Sequence, residues 1–529
     1  MARSGLVSSG HHLASLAGAE ILRKGGNAYD AAIAVSAVLS VVRPHMTALG
    51  GDAFALLYDC DRGTVEALNA SGPAPKAASS QLFLDKGFTE IPKHGIYSVS
   101  IPGLVNCWER ILERRGTMPL SELLKSGIDY ARQGFPMYST LSFAIKEAAC
   151  ELSRCPAAKD VFLPNGHVPQ TGEVLIQKDL ASTLEALATE GARSFYEGKI
   201  AHLIAEYFSE SGGLIGEDDL AKYRSSWLTP ISTTYRNYAV FEQPPVSQGH
   251  ILLQELNLVE GYDLAQLGHN SADSIHLMVE AKKLAFYDRL KYLGDPDFVD
   301  VPLRTLLSKE YAVKRREQID INKASLTLRG HSLGNLGSDT TYFAVVDKSG
   351  NAVSFIQSLF HSFGSGEVVP GTGIIMNDRM CGFSLAKDHP NRLQPGKRTA
   401  HTLNSYILTK NENLWMLGGT PGADDQVQVN LQVIANVIDY QMNVQQAIEA
   451  PRWSSKPGTA PGEENDPYEL SVENRIPENV RHQLAAKGHN VRVAEAWSFG
   501  GSQAIVIDQK NGVFIGGADP RRDGYAIGW

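Results

Sequence analysis

The sequence predicts a mixed α/β (α+β) protein. Two patterns carry the prediction. Residues 342–346 alternate sides, with Tyr342, Ala344 and Val346 on one face and Phe343 and Val345 on the other. Asp347-Lys348-Ser349-Gly350-Asn351 then reads as a turn, and residues 352–358 as the returning strand of a hairpin. Helical periodicity marks residues 180–190, 273–287 and 426–440, the last apolar at Val427, Leu431, Ile434, Val437 and Ile438.

In chain order, residues 13–24 and 30–42 read as helices around the break Gly25-Gly26-Asn27, with Asp30 favouring the second helix's dipole. Residues 49–58 are a glycine turn into a buried strand, and residues 66–69 pair with it. A helix follows at 104–114. Residues 118–325 are mostly helical, with a strand at about 237–249 that runs into the loop Gln243-Pro244-Pro245-Val246-Ser247-Gln248-Gly249. Residues 454–467, rich in Ser, Pro, Gly and Glu, read as an exposed loop. Residues 414–417 form a short strand that meets Gly418-Gly419-Thr420-Pro421-Gly422-Ala423 ahead of the 426–440 helix. Such a turn offers free backbone N–H groups suited to an oxyanion.

Composition narrows the function classes. The 529 residues are 43% hydrophobic and 20% charged, enough for a large core. Net charge is −9 and no basic stripe stands out, which argues against nucleic acid as a partner. Five cysteines, Cys60, Cys107, Cys150, Cys155 and Cys381, match no metal or redox spacing and suit buried thiols in a reducing compartment. The N-terminus lacks a leader-like apolar core, and the apolar run 31–42 is shorter than the ~20 residues that span a bilayer. The expected location is cytoplasmic, with no membrane partner. There is no H-E-x-x-H, P-loop or dinucleotide fingerprint, and adjacent His11 and His12 cannot face one ion from a regular helix, so no metal is expected.

Two threonines open the 342–346 strand. Cleavage before Thr340 would place a hydroxyl nucleophile and an α-amine base, of unperturbed pKa about 7.7–8.0, on one residue. A rival lies just upstream: Gly330-His331-Ser332-Leu333-Gly334 fits the G-x-S-x-G elbow of α/β-hydrolases. That elbow needs a helix after the serine, whereas Asn335-Leu336-Gly337-Ser338-Asp339 leads into a strand. Ser332 is therefore read as part of a loop ahead of the cut.

Asp339-Thr340-Thr341-Tyr342 through Asp347, with Gly350-Asn351-Ala352-Val353-Ser354 and Phe363-Gly364-Ser365-Gly366, resembles the small-subunit start of the γ-glutamyltranspeptidase family. The resemblance covers nearly the whole chain. It implies a four-layer αββα N-terminal-nucleophile hydrolase sandwich made by one chain that cleaves itself at Asp339–Thr340. The fragments would be residues 1–339 and 340–529, intertwined in one fold, and a homo-oligomer of that heterodimer is open. By position, the resemblance makes Thr340 the nucleophile, Thr341 its orienting neighbour and Ser358 the hydroxyl beside its amine. Gly422 and Ala423 become the oxyanion donors, Ala423 standing where the family has glycine. The mechanism implied needs no cofactor.

The departures concern substrate. The family's arginine for the glutamyl α-carboxylate is absent from residues 68–72, and its carboxylate for the α-ammonium falls at Gly382. An asparagine is replaced by Phe360, a glutamine by Arg379, and a serine pair by His401-Thr402. Each lost charge-assisted hydrogen bond costs roughly 1.5–3 kcal/mol. The pattern is closer to the family's amidohydrolase branch, which includes cephalosporin acylases and oxamate amidohydrolase, and it suggests Arg379 as a cation for a small carboxylated amide. The alternatives are a true γ-glutamyltransferase (glutathione hydrolase), an α/β-hydrolase using Ser332, and an unprocessed homologue that only binds.

Overall fold

Capping fixes how the chain starts. The computed structural model, which describes residues 1–326, 339–457 and 467–529, places α1 at His12–Arg23 and α2 at Ala28–Val42. Asn27 accepts from the amides of Tyr29 and Asp30, and Asp30 accepts from the Asn27 amide. This capping box sets the start of α2. Further helices used below are α3 (Leu104–Arg115), α4 (Gly249–Val259), α5 (Ala272–Tyr292) and α6 (Asp425–Ile438).

The strands of the two central sheets are, in chain order, β1 (Gly5–Ser9), β2 (Asp52–Asp59), β3 (Thr64–Ala70), β4 (Ser226–Leu228), β5 (Ile231–Tyr235), β6 (Tyr238–Glu242), β7 (Asp339–Asp347), β8 (Ala352–Phe360), β9 (Ser405–Lys410), β10 (Asn413–Gly419), β11 (Gln503–Asp508), β12 (Val513–Ala518) and β13 (Tyr525–Gly528). One sheet runs β13-β1-β7-β8-β2-β3-β4, the other β12-β11-β10-β9-β6-β5. Both are antiparallel throughout.

Side-chain alternation assembles four layers. Phe343, Val345, Val353 and Phe355 face the α2 side. Tyr342, Ala344, Val346 and Ile356 face inward and meet Ile407, Leu417 and Ile505 of the second sheet. The second sheet's other face, with Tyr235, Val240, Leu408 and Met416, packs under residues of α4, α5 and α6. The result is an αββα sandwich. Strands from before and after residue 339 interleave in the first sheet, and in the second β5 and β6 lie at one edge of four strands from after it, so neither part holds a complete sheet of its own.

Three readings change. Trp453–Lys456 is a strand paired with Glu469–Glu473, and Ser454 and Ser455 are buried, so the expected 454–467 loop is sheet at its first residues. Gly5–Ser9, read only for the absence of a leader, is a fully buried strand beside β7. Ser332 and its elbow lie outside the described residues. The five cysteines are free, with Cys150 exposed and Cys60 half-buried rather than all in the core. Among the described residues no helix is long and apolar enough to cross a membrane.

Candidate active site

Thr340 is the second residue of β7, which β1 and β8 flank in the middle of its sheet, and it is 1% exposed. Its hydroxyl donates to Ser358 Oγ at 3.3 Å. Ser358 Oγ in turn donates to the carbonyl oxygen of Asp339 at 2.6 Å and accepts from the Phe360 amide at 2.8 Å. A hydroxyl relay thus links the Thr340 side chain to the carbonyl of the peptide bond just before it. The β7–β8 register slips between Gln357 and Phe360, and Phe360 takes φ = +95°, a conformation that costs a non-glycine residue about 1–3 kcal/mol. That irregularity lets Ser358 turn toward Asp339. Thr341 Oγ1 is buried without a partner among the described residues, and Gly10 packs against it: a Cβ there would sit 2.8 Å from Thr341 Oγ1 and 2.5 Å from Arg43 Nη1.

Ser358 lies opposite Asp52 of β2, and Asp52 is the centre of a buried charge cluster. Arg379 Nε and Nη2 donate to its two carboxylate oxygens at 2.9 and 3.0 Å, and the Phe360 ring lies 4.0 Å from the guanidinium carbon. Burial raises the Asp52 carboxyl, but Arg379 and then His401 outweigh it, so the carboxyl stays below its ordinary value. His401 Nε2 donates to Asp52 Oδ2 at 2.9 Å. Burial, helped by Arg379, pushes the imidazole down to about 4, so it is neutral at pH 7 and its Nδ1 is an acceptor without a partner. Arg379 is therefore not the free cation the sequence suggests. Asp52 compensates its charge, and Nη1 alone lacks a partner. Thr402 Oγ1 is likewise unpartnered.

Gly419, at the end of β10, lies flat against Tyr342 of β7: a Cβ there would meet the Tyr342 ring at 2.6 Å. Gln248 Nε2 ties the turn after β10 to the His401 region, donating to Thr402 O at 2.5 Å and Ala423 O at 3.1 Å. Gly422 has φ = +126° and Ala423 φ = +50°, and the amides of both donate to no described residue. Two backbone donors thus stand free at the start of α6.

The sequence reading missed Asp52, Gln248, Arg43 and the pair His361–Asp378. Asp52 carried a signal, being a carboxylate at the head of a buried strand that continues Ala-Phe-Ala-Leu-Leu. Asp378 accepts from the His361 amide at 3.1 Å and from Nδ1 at 2.5 Å. His361, Asp378 and Cys381 lie close enough to share an ion, as do His276, Glu280 and His489. In each group the acids already have protein partners: His361 on Asp378, Lys283 and the Ser325 amide on Glu280.

An αββα sandwich with a threonine heading an inner strand is the architecture of the N-terminal-nucleophile hydrolases. The gamma-glutamyltranspeptidase family model matches residues 14–529. A glutathione hydrolase-like YwrD proenzyme of Bacillus subtilis (strain 168) is 41% identical, covering 99% of this chain and 98% of its own length. The oxamate amidohydrolase proenzyme of Klebsiella pneumoniae subsp. pneumoniae is 33% identical over 99% of this chain and 98% of its own. The crystal structure of a cephalosporin acylase from Bacillus halodurans superposes with a TM-score of 0.92 at 38% identity, covering 100% of this chain and 96% of that one. The chain belongs to the gamma-glutamyltranspeptidase family and is an enzyme.

Proposed function

We propose that the chain is a proenzyme that cleaves itself at Asp339–Thr340 and then hydrolyses a small amide through an acyl-enzyme on Thr340. The observation that carries this is the relay from Thr340 Oγ through Ser358 Oγ to the Asp339 carbonyl. In maturation, Thr340 Oγ adds to the Asp339 carbonyl carbon. The C–N bond breaks, the nitrogen gains the proton, and an ester joins Asp339 to Thr340. Water hydrolyses the ester, leaving Asp339 as a carboxylate end and Thr340 with a free amine. In turnover the same oxygen attacks the substrate amide, with the new amine as base. The free Gly422 and Ala423 amides supply the oxyanion donors. The names of the relatives support a proenzyme and an amide or acyl substrate.

The acyl group we infer is short and bears an oxygen acceptor such as a carboxylate. Arg379 Nη1 and Thr402 Oγ1 are the unsatisfied donors that would meet it, and His401 Nδ1 is an unsatisfied acceptor that would take a substrate N–H. A buried polar group without a partner costs about 1–3 kcal/mol, which a ligand that completes it recovers. A glutathione hydrolase activity is the second reading, favoured by the name of the 41% identical relative. Against it stands the lack of an arginine in residues 68–72 and of a carboxylate at Gly382.

Thr340→Ala tests the mechanism. The variant is expected to fold, remain one chain and release no ammonia or amine from a panel of amides, while wild-type protein is cut and active. Activity in an uncut Thr340→Ala chain would refute the mechanism.

A further inference from the structure

We propose that a cavity beside Asp339 is a carboxylate subsite for the acyl half of the substrate, selecting acyl groups whose carboxylate stands two carbons from the reacting carbonyl, as in a succinic monoamide. The inference rests on the reading of Thr340 as nucleophile. The cavity, ≈ 530 Å³, is bounded by Arg43, His45, Phe143, Asp339, His361 and Arg522 among others. Arg43 is 2% exposed, and Nη1 donates to Gly10 O at 2.6 Å, while Nε and Nη2 have no partner. A buried guanidinium with two idle donors at a cavity wall suits a carboxylate. Two acidic groups, Glu147 and Glu151, line the same cavity.

The precursor itself sets the spacing. Self-cleavage makes Asp339 the first acyl group carried by Thr340 Oγ. Its carbonyl carbon must come within bonding distance of that oxygen, so a later acyl group on the same oxygen can enter the space Asp339 vacates. The Asp339 side chain carries its carboxyl two carbons from that carbonyl and lines the cavity. Burial raises the Asp339 carboxyl, against the pull of Arg522, His361 and Arg43. Arg379, in contrast, is already paired with Asp52.

With succinamate, Thr340 Oγ adds to the amide carbonyl and the C–N bond breaks. Ammonia leaves with the hydroxyl proton, and water cleaves the succinyl ester to succinate. The test uses processed enzyme, its cut confirmed by mass, and ammonia release from succinamate, oxamate and butyramide, an uncharged analogue with a methyl in place of the carboxylate. Succinamate is expected to exceed both others at least tenfold in kcat/KM. Arg43→Gln and Arg522→Gln are each expected to lower the succinamate-to-butyramide ratio at least tenfold. Arg43 is buried and its loss can block folding, so the exposed Arg522 provides the second variant. Oxamate or a γ-glutamyl amide outranking succinamate, or an unchanged ratio in Arg522→Gln, overturns the subsite and leaves the Thr340 mechanism standing. An uncut chain that is still active overturns the mechanism instead.

Discussion

Thr340 and Asp339 share one intermediary, the Ser358 hydroxyl, and that gives the relay a direct test. Ser358→Ala removes both the acceptor for Thr340 and the donor to the scissile carbonyl. Self-cleavage is expected to slow about 10- to 100-fold, equivalent to about 1.4–2.7 kcal/mol of barrier. Ser358→Thr, which keeps the hydroxyl, should restore most of the rate. Time courses on denaturing gels read both. A second residue reports on burial. Glu255 of α4 is buried with neither carboxylate oxygen paired, and burial pushes it up to about 8 against the pull of Lys282 and Arg289. The folded chain then holds a proton that the unfolded chain releases near pH 4.5. The Glu255 contribution to stability is fully present below pH 4.5 and is lost as pH rises to about 8. Relative to wild type, Glu255→Gln is therefore expected to gain in Tm between pH 5 and pH 8. A constant difference across that range would contradict the assignment.

At the scale of elements, period and chemistry were legible where neighbours in sequence decide them. The alternation in β7 sends Tyr342, Ala344 and Val346 to one core and Phe343 and Val345 to another, as the pattern predicts. Helices expected at 30–42 and 273–287 run Ala28–Val42 and Ala272–Tyr292, their starts set by Asn27 and Ser271 caps. The pairing of Arg379 with Asp52 was not legible, because it joins residues 327 apart through a sheet register that no local pattern encodes. The Trp453–Lys456 strand was missed for a related reason: its polar serines are buried against Glu469–Glu473, a strand further along the chain. The turn after β10 depends on Gly419 passing under Tyr342. Gly419→Ala would force a Cβ to within 2.6 Å of that ring. It is expected to cost about 1–3 kcal/mol. It should also lower kcat by displacing Gly422 and Ala423. Thermal melts and single-substrate kinetics check the two effects.

At the scale of the whole molecule, both sheets draw strands from either side of the proposed cut, so the fragments should stay together in native buffer and part only on denaturation. A nick at Asp339–Thr340 frees the end of β7 without removing a strand, which is how the fold can survive its own cleavage. The measurement that tests this account most directly is the intact mass and N-terminal sequence of purified wild-type protein under denaturing conditions. The account predicts two pieces in equal amount, of about 37 and 21 kDa in proportion to residues 1–339 and 340–529 of the 57.5 kDa chain, the smaller beginning Thr-Thr-Tyr-Phe. A single uncut chain with full amidase activity, or a smaller piece beginning at any other residue, would contradict it.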